Sequence, residues 1–293
     1  MKPVLLGVAV AVLAAVLYNA GVAIQALEAR EAPPRHALRA SLLGALAARP
    51  RWLVGTVLVT VGWGLHAVAL LIAPLTLVQP ALAVGLVLLL VIGAYVLREQ
   101  VGLREIAAVA AIVPGLAGIA LVAPAHTPTQ ASAGAIGVAL TALGGAAILP
   151  YLLRRLGRRP GVAVVVSSGL AYAWCGIATK LLADALGSGA WGVAALWVLG
   201  TAAGAAVGLV SEMTALQTRP ATRVAPVVLV VDIVAAVAFG IVLVGESWAE
   251  TPLGGPVLLG SLALLTVGAA VLAASPAVAA VAHGQAAVPT SET

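Results

Sequence analysis

Val61–Leu97 reads VGWGLHAVALLIAPLTLVQPALAVGLVLLLVIGAYVL, and it decides the fold. The run contains one His and no charged residue, and it is long enough to cross a bilayer nearly twice, since one spanning helix needs about 20 apolar residues. Pro74 divides it into two such helices. Displaced by 146 residues, the run falls without a gap on Val207–Leu243, and 12 of 37 positions are identical. Gly62 meets Gly208, Ala69-Leu70 meets Ala215-Leu216, Pro74 meets Pro220, Thr76 meets Thr222, Val78 meets Val224 and Pro80 meets Pro226. The paired prolines are the specific part of the match, because proline in a spanning helix is costly unless the structure uses it.

Outward from this repeat the whole chain has the same character. Of 293 residues, 62% are hydrophobic and 9% charged, against about 25% charged in a soluble domain. A water-soluble domain is excluded. At about 20 residues per span, the apolar content fills about nine spans. The runs place them at Pro3–Leu27, Trp52–Ala73, Leu75–Leu97, Glu105–Ala123, Ala133–Leu153, Val162–Leu186, Trp191–Thr218, Val224–Val244 and Leu253–Ala274. The stretch His36–Ala48 is too short to span and carries Arg39, so it reads as an interfacial helix. The tail from Ser275 reads as disordered. Span 1 has too long an apolar run for a cleaved signal peptide.

Loop charge supports the count. Arg30, Arg35, Arg39, Arg49, Arg51, Arg98, Arg104, Arg154, Arg155, Arg158, Arg159, Arg219 and Arg223 all fall in one alternate set of loops. The opposite set holds only Lys2. Basic residues concentrate on the cytoplasmic side, which puts the N-terminus outside and the C-terminus inside the plasma membrane. The net charge of +5 is therefore a topology signal and not a nucleic-acid footprint. Excess Arg over Lys, with abundant Ala, Val and Gly, resembles GC-rich codon usage and points to a bacterial source.

Span 1 also matches span 6: Gly21-x-Ala23-x-Gln25-x-Leu27 aligns with Gly176-x-Ala178-x-Lys180-x-Leu182. The expected architecture is an all-α polytopic membrane protein of nine helices arranged four, one and four. Residues 1–124 form the first repeat and 125–160 the linking span with its basic loop. Residues 161–274 form the second repeat and 275–293 the tail. Equivalent helices are five spans apart, an odd number, so the two repeats cross in opposite directions. Inverted repeats of this kind are a transporter architecture in which two bundles rock about a midplane site.

The order Trp52-x-x-Gly55, Gly62, Ala69-x-x-x-Ala73-Pro74-x-x-Leu77-Val78-x-Pro80 and Leu97-x-Glu99 resembles the drug/metabolite transporter superfamily. The first half is most similar to its NIPA-type magnesium transporters, and Ala215-Leu216 through Pro226 to Glu246 resembles the second EamA-type repeat. The resemblance implies a carrier for a small metabolite or drug, or, in the NIPA-type alternative, for magnesium. The NIPA-type pattern has an acid after the span-2 glycine and an Asn three residues on. Trp63 and His66 stand there instead, which weighs against a divalent cation.

Ionisable groups inside spans cost about 2.5–3.5 kcal/mol on insertion scales and so suggest function. Glu212 lies on the line Gly200, Gly204, Gly208, Glu212, one helix face that invites close approach by another helix. It reads as a proton carrier or a contact for a cationic substrate, against the plainer reading of an interfacial carboxylate. His66 holds the repeat-equivalent place, as a gate or as one inter-helix hydrogen bonder. Asp232, early in span 8, pairs with Arg223 or faces a central cavity. Lys180 is four residues from Asp184 and reads as an ion pair at the outer mouth or, by its alignment with Gln25, as a midplane group. Asn19, Gln25 and Gln79 read as inter-helix hydrogen bonders or cavity lining. Pro80 and Pro226 read as helix breaks beside the site. Trp63 faces the cavity or anchors at the interface. Arg98-Glu99 and Glu246 read as solvated span ends.

Ser167-Ser168 and Cys175 on span 6 lack any triad or metalloprotease partner pattern, so the chain reads as no enzyme. One cysteine and four scattered histidines give no metal site and no cofactor, with a proton as the coupling ion. The expected partners are the lipid bilayer and a small solute or ion, with no nucleic acid, in a monomer or homodimer.

Overall fold

The computed structural model describes residues 2–73, 75–122, 132–239 and 254–274, and every regular element among them is helical. In chain order these are α1 (Lys2–Glu31), α2 (Ala40–Ala47), α3 (Pro50–Ile72), α4 (Leu75–Tyr95), α5 (Leu103–Val122), α6 (Ala133–Arg155), α7 (Ala163–Gly187), α8 (Trp191–Leu216), α9 (Ala221–Phe239) and α10 (Gly254–Ala274). A single 3-10 turn, Pro34–His36, precedes α2. The tail from Ser275, Glu246 and the end of span 8 lie outside the described residues.

Long apolar runs become helices because a helix satisfies every backbone N–H and C=O within its own segment, the condition for crossing hydrocarbon. Eight of these helices are long and apolar enough to cross a membrane; within α4 the stretch that counts is the shorter Val84–Tyr95. Local chemistry sets the ends. Pro50 opens α3, where its missing N–H costs nothing. Ser132 caps α6 by accepting the Ala135 N–H at 3.2 Å. Gly189, at φ +73°, follows the end of α7 in the left-handed region that glycine enters without strain.

Glycines set the closest contacts. A Cβ at Gly21 would stand 2.6 Å from the Gly55 carbonyl, and one at Gly62 would stand 2.8 Å from the Ala14 carbonyl. Positions rise along α3 as they fall along α1, so the two helices pack antiparallel. The same close approach joins α7 to α8, where a Cβ at Gly208 would meet the Tyr172 ring at 2.6 Å. It also joins α5 to α10, where a Cβ at Gly115 would meet Leu265 at 2.9 Å and one at Gly268 would meet Ile112 at 2.7 Å. α1 also packs on α4, α7 on α9, α4 on α5 and α9 on α10. α6 lies against α7.

The stretch His36–Ala48 forms the eight-residue α2, shorter than a span. Its Leu42 and Leu46 are fully buried against the protein, because the helix packs on α3 and α8. Its buried face therefore meets protein.

Candidate functional site

Glu212 stands four residues from the C-terminal end of α8 and is 5% exposed. The Tyr172 hydroxyl, from α7, donates to its Oε2 at 2.7 Å. The glycine face of α8 explains the contact: Gly208, one turn away, lets the Tyr172 ring lie directly on the backbone. Tyr18 of α1 is within electrostatic reach of Glu212, of Asp232 on α9 and of Tyr172. Cys175, one turn beyond Tyr172, is within reach of Asp232. Tyr18 thus lies among carboxylates of α8 and α9 and a phenol of α7.

Asp232 is half-buried, and no described residue gives it a hydrogen bond or an ion pair. Arg223, the basic residue that one of its two readings pairs with it, is bound to Glu105 on α5 at 2.9 Å. Tyr18 is 36% exposed although its polar neighbours lie on α7, α8 and α9.

The other sequence candidates fall elsewhere. Gln25 is buried and donates to Thr56 Oγ1 at 3.1 Å, tying α1 to α3. Asn19 is buried and donates to the Ala15 carbonyl of its own helix at 2.8 Å, beside Gly85 of α4. His66 is half-buried, and its Nδ1 is enclosed without a hydrogen-bond partner. Trp63 is 65% exposed. Lys180 is half-buried and Asp184 exposed, near the C-terminal end of α7. The side chains of Gln79 and Pro80 lie outside the described residues, though α4 runs through both positions.

Pro226 does not break its helix: α9 continues from Ala221 to Phe239. So near the start it removes one intrahelical bond, the one its N–H would have made to Thr222. The neighbouring first turn is held from outside. The Ala221 and Thr222 N–H groups donate to Glu99 at 2.7 and 3.0 Å, and the Thr222 hydroxyl donates at 2.6 Å. Arg30 forms an ion pair with the same carboxylate. The Glu99 side chain is 3% exposed, not solvated as its place at a span end suggests, because four donors from α1 and α9 converge on it.

Glu99 belongs to a layer of ties at the arginine-rich end of the bundle. Arg223 pairs with Glu105, and Arg49 bridges Glu28 and Glu31 at 3.0 and 2.9 Å. The Leu38 N–H donates to Thr214 Oγ1 at 2.8 Å and Trp52 Nε1 to Met213 Sδ at 3.3 Å. Gln217 reaches the Ala32 carbonyl at 3.1 Å. The residues just past Glu212 on α8 are thus covered by α2 and its flanks. Leu38 and Arg98, the non-glycine residues with positive φ among those described, both lie in this layer, at +50° and +52°. A left-handed leucine is strained and persists only where surrounding contacts hold it.

Ser167 and Ser168 serve packing. Ser167 donates to the Ala147 carbonyl at 2.5 Å and Ser168 to the Gly208 carbonyl at 2.9 Å. Sequence reading missed Tyr18 and Tyr172. A signal was present: aromatic anchors collect near span ends, whereas Tyr18 and Tyr172 lie well inside α1 and α7. No family model matches the chain, and neither the curated proteins nor the solved structures compared with it match.

Proposed function

We propose that this chain is a secondary transporter of the drug/metabolite type, which moves a small metabolite or drug-like solute across the membrane by alternating access, coupled to protons. The observation that carries the reading is the set of Glu212, Asp232, Tyr18 and Tyr172 among apolar helices, with Tyr18 partly exposed and Asp232 half-buried. A carboxylate inside hydrocarbon is costly. One that is reachable and lacks a basic partner can take and release a proton or meet a cationic group.

The topology belongs to the same reading. The chain crosses nine times, with α4 as the ninth span, the N-terminus outside and the arginine-rich end in the cytoplasm of a bacterial cell. The two halves are inverted repeats. Packing supports this: α1–α3, α1–α4 and α4–α5 have counterparts in α7–α8, α7–α9 and α9–α10, and the equivalent helices α5 and α10 pack antiparallel. The layer around Glu99 and α2 then closes the cytoplasmic side, and the solute path past Tyr18 opens outward. Inward opening requires the Glu99–α9 and Glu105–Arg223 ties to part. The chain is no enzyme and uses no resident cofactor. A magnesium carrier is the lesser reading: among the described residues no three of His, Cys, Asp and Glu gather as a metal group, and Glu212 and Asp232 would have to serve with solvent.

The test uses proteoliposomes with an internal pH dye and a panel of amines, amino acids, sugars and cationic drugs. A solute that moves protons in the wild-type chain, and no longer does so after Glu212→Gln, supports the reading. Glu212→Gln transport with unchanged pH dependence removes Glu212 from coupling. Failure of cysteines at positions 18 and 232 to react with a soluble maleimide from either side overturns the solute path itself.

A further inference from the structure

Two cavities away from the acid cluster meet on the surface formed by α6, α7 and α8. The first, of about 530 Å³, lies at the arginine-rich end and is lined by Arg39, Arg154, Arg155 and Tyr151, with Ile148 and Val207 at its edge. Three cations line it and no carboxylate does. Arg39 and Arg154 are within electrostatic reach of each other. Arg154 Nη2 touches the Arg35 carbonyl at 3.4 Å, while its Nη1 is enclosed without any acceptor. Like charges facing one space, with a buried guanidinium N–H left over, call for an anion that accepts from both.

The second cavity, of about 400 Å³, shares Ile148 and Val207 with the first and continues along α6 to Leu140. Gly144 and Gly145 line it without side chains to fill it, and Trp174 also lines it. It is apolar along its length apart from Thr141 and the Trp174 N–H, which is already bonded to the Leu140 carbonyl at 3.0 Å. From Leu140 to Arg155 the helix rises about 22 Å at about 1.5 Å per residue. That matches one leaflet, half of a hydrocarbon core of about 30 Å plus its headgroups.

We propose that the joined cavities bind one anionic phospholipid of the leaflet at the arginine-rich end, with its phosphate between Arg39 and Arg154 and an acyl chain over Gly144 and Gly145. A free phosphate or a soluble phosphorylated solute fits the basic cavity alone and leaves the apolar groove unexplained. Basic pockets between spanning helices that hold anionic headgroups follow from the same electrostatics. The proposal does not depend on transport activity; the orientation proposed above decides only which leaflet supplies the lipid.

The full chain in a neutral detergent is titrated with dioleoyl phosphatidylglycerol, with dioleoyl phosphatidylcholine and with inorganic phosphate, and followed by native mass spectrometry and thermal unfolding. We expect phosphatidylglycerol to be retained about tenfold more tightly than phosphatidylcholine, as for one or two charge-assisted hydrogen bonds, and to raise Tm. Inorganic phosphate should leave Tm unchanged. Arg39→Gln and Arg154→Gln should each erase the preference. Gly145→Leu, whose new side chain enters open space in the groove, should weaken retention of both lipids. Equal retention of the two lipids overturns the proposal. So does a Tm shift from phosphate alone, which marks a soluble-anion site. If Arg154→Gln fails to fold, the exposed Arg39→Gln decides the matter, and a preserved preference there overturns the proposal as well.

Discussion

Tyr172 and Glu212 make a short contact inside the bundle, a phenol donating to a buried carboxylate at 2.7 Å. Hydrogen bonds to charged groups contribute about 1.5–3 kcal/mol, and a buried group left unpaired costs at least as much. Tyr172→Phe should therefore destabilise the protein by about 2 kcal/mol in thermal unfolding. Glu212→Gln, which keeps an acceptor for Tyr172, should lose less. Equal losses from the two would mean that the carboxylate charge, and not the bond, sets the cost. Glu212 was legible from its place on a glycine face. Its phenolic partner was not, because Tyr172 lies on another helix, and only packing brings position 172 to position 212.

The decisive tie at the scale of elements is the capping of α9 by Glu99, which follows α4. The first turn of any helix has unpaired N–H groups and a positive end, both of which favour a carboxylate. Glu99→Ala strips this cap and leaves Arg30 without its partner, and breaking a buried pair costs about 3–5 kcal/mol. We expect a loss near the lower figure, since Arg30 is partly exposed, and a smaller loss for Glu99→Gln; chemical denaturation would measure both. The α5–α10 contact gives a second prediction. A side chain at Gly268 would meet Ile112 and the Ala108 carbonyl below 3 Å, so Gly268→Leu should cost about 1–3 kcal/mol through overpacking. Gly255→Leu on the same helix, with open space around it, should be neutral. Helix positions were legible to within a few residues because apolar runs and helix periods are local properties. The caps were not, since the acceptor for α9 lies more than a hundred residues away in sequence.

For the whole molecule the prediction concerns sidedness. The ties around Glu99, Glu105 and α2 join α1, α5, α8 and α9 at the arginine-rich end, while Tyr18 is partly exposed and Asp232 half-buried. In a Cys175→Ala background, which removes the chain's one cysteine, Tyr18→Cys should react with an impermeant maleimide added outside cells and resist it in inside-out vesicles. The reverse pattern would invert the proposed orientation or the proposed state. Cutting the Glu105–Arg223 tie with Glu105→Gln should raise the inside-out reaction if those ties hold the closed end.

By itself the sequence determined the class: a charge-poor, all-helical chain with most of its arginines gathered in one set of loops, because hydrophobicity and loop charge are carried by neighbouring residues. It also singled out Glu212 and Asp232, since a charge in an apolar run is conspicuous wherever the run folds. Only the tertiary structure decided what surrounds those charges. It brought Tyr18 and Tyr172 to them, turned Gln25 to a helix seam and gave Arg223 to Glu105 in place of Asp232. The physical reason is one of range. A span needs only its own residues to satisfy its backbone, but a buried polar side chain must find its partner on another helix, and helix packing makes that choice.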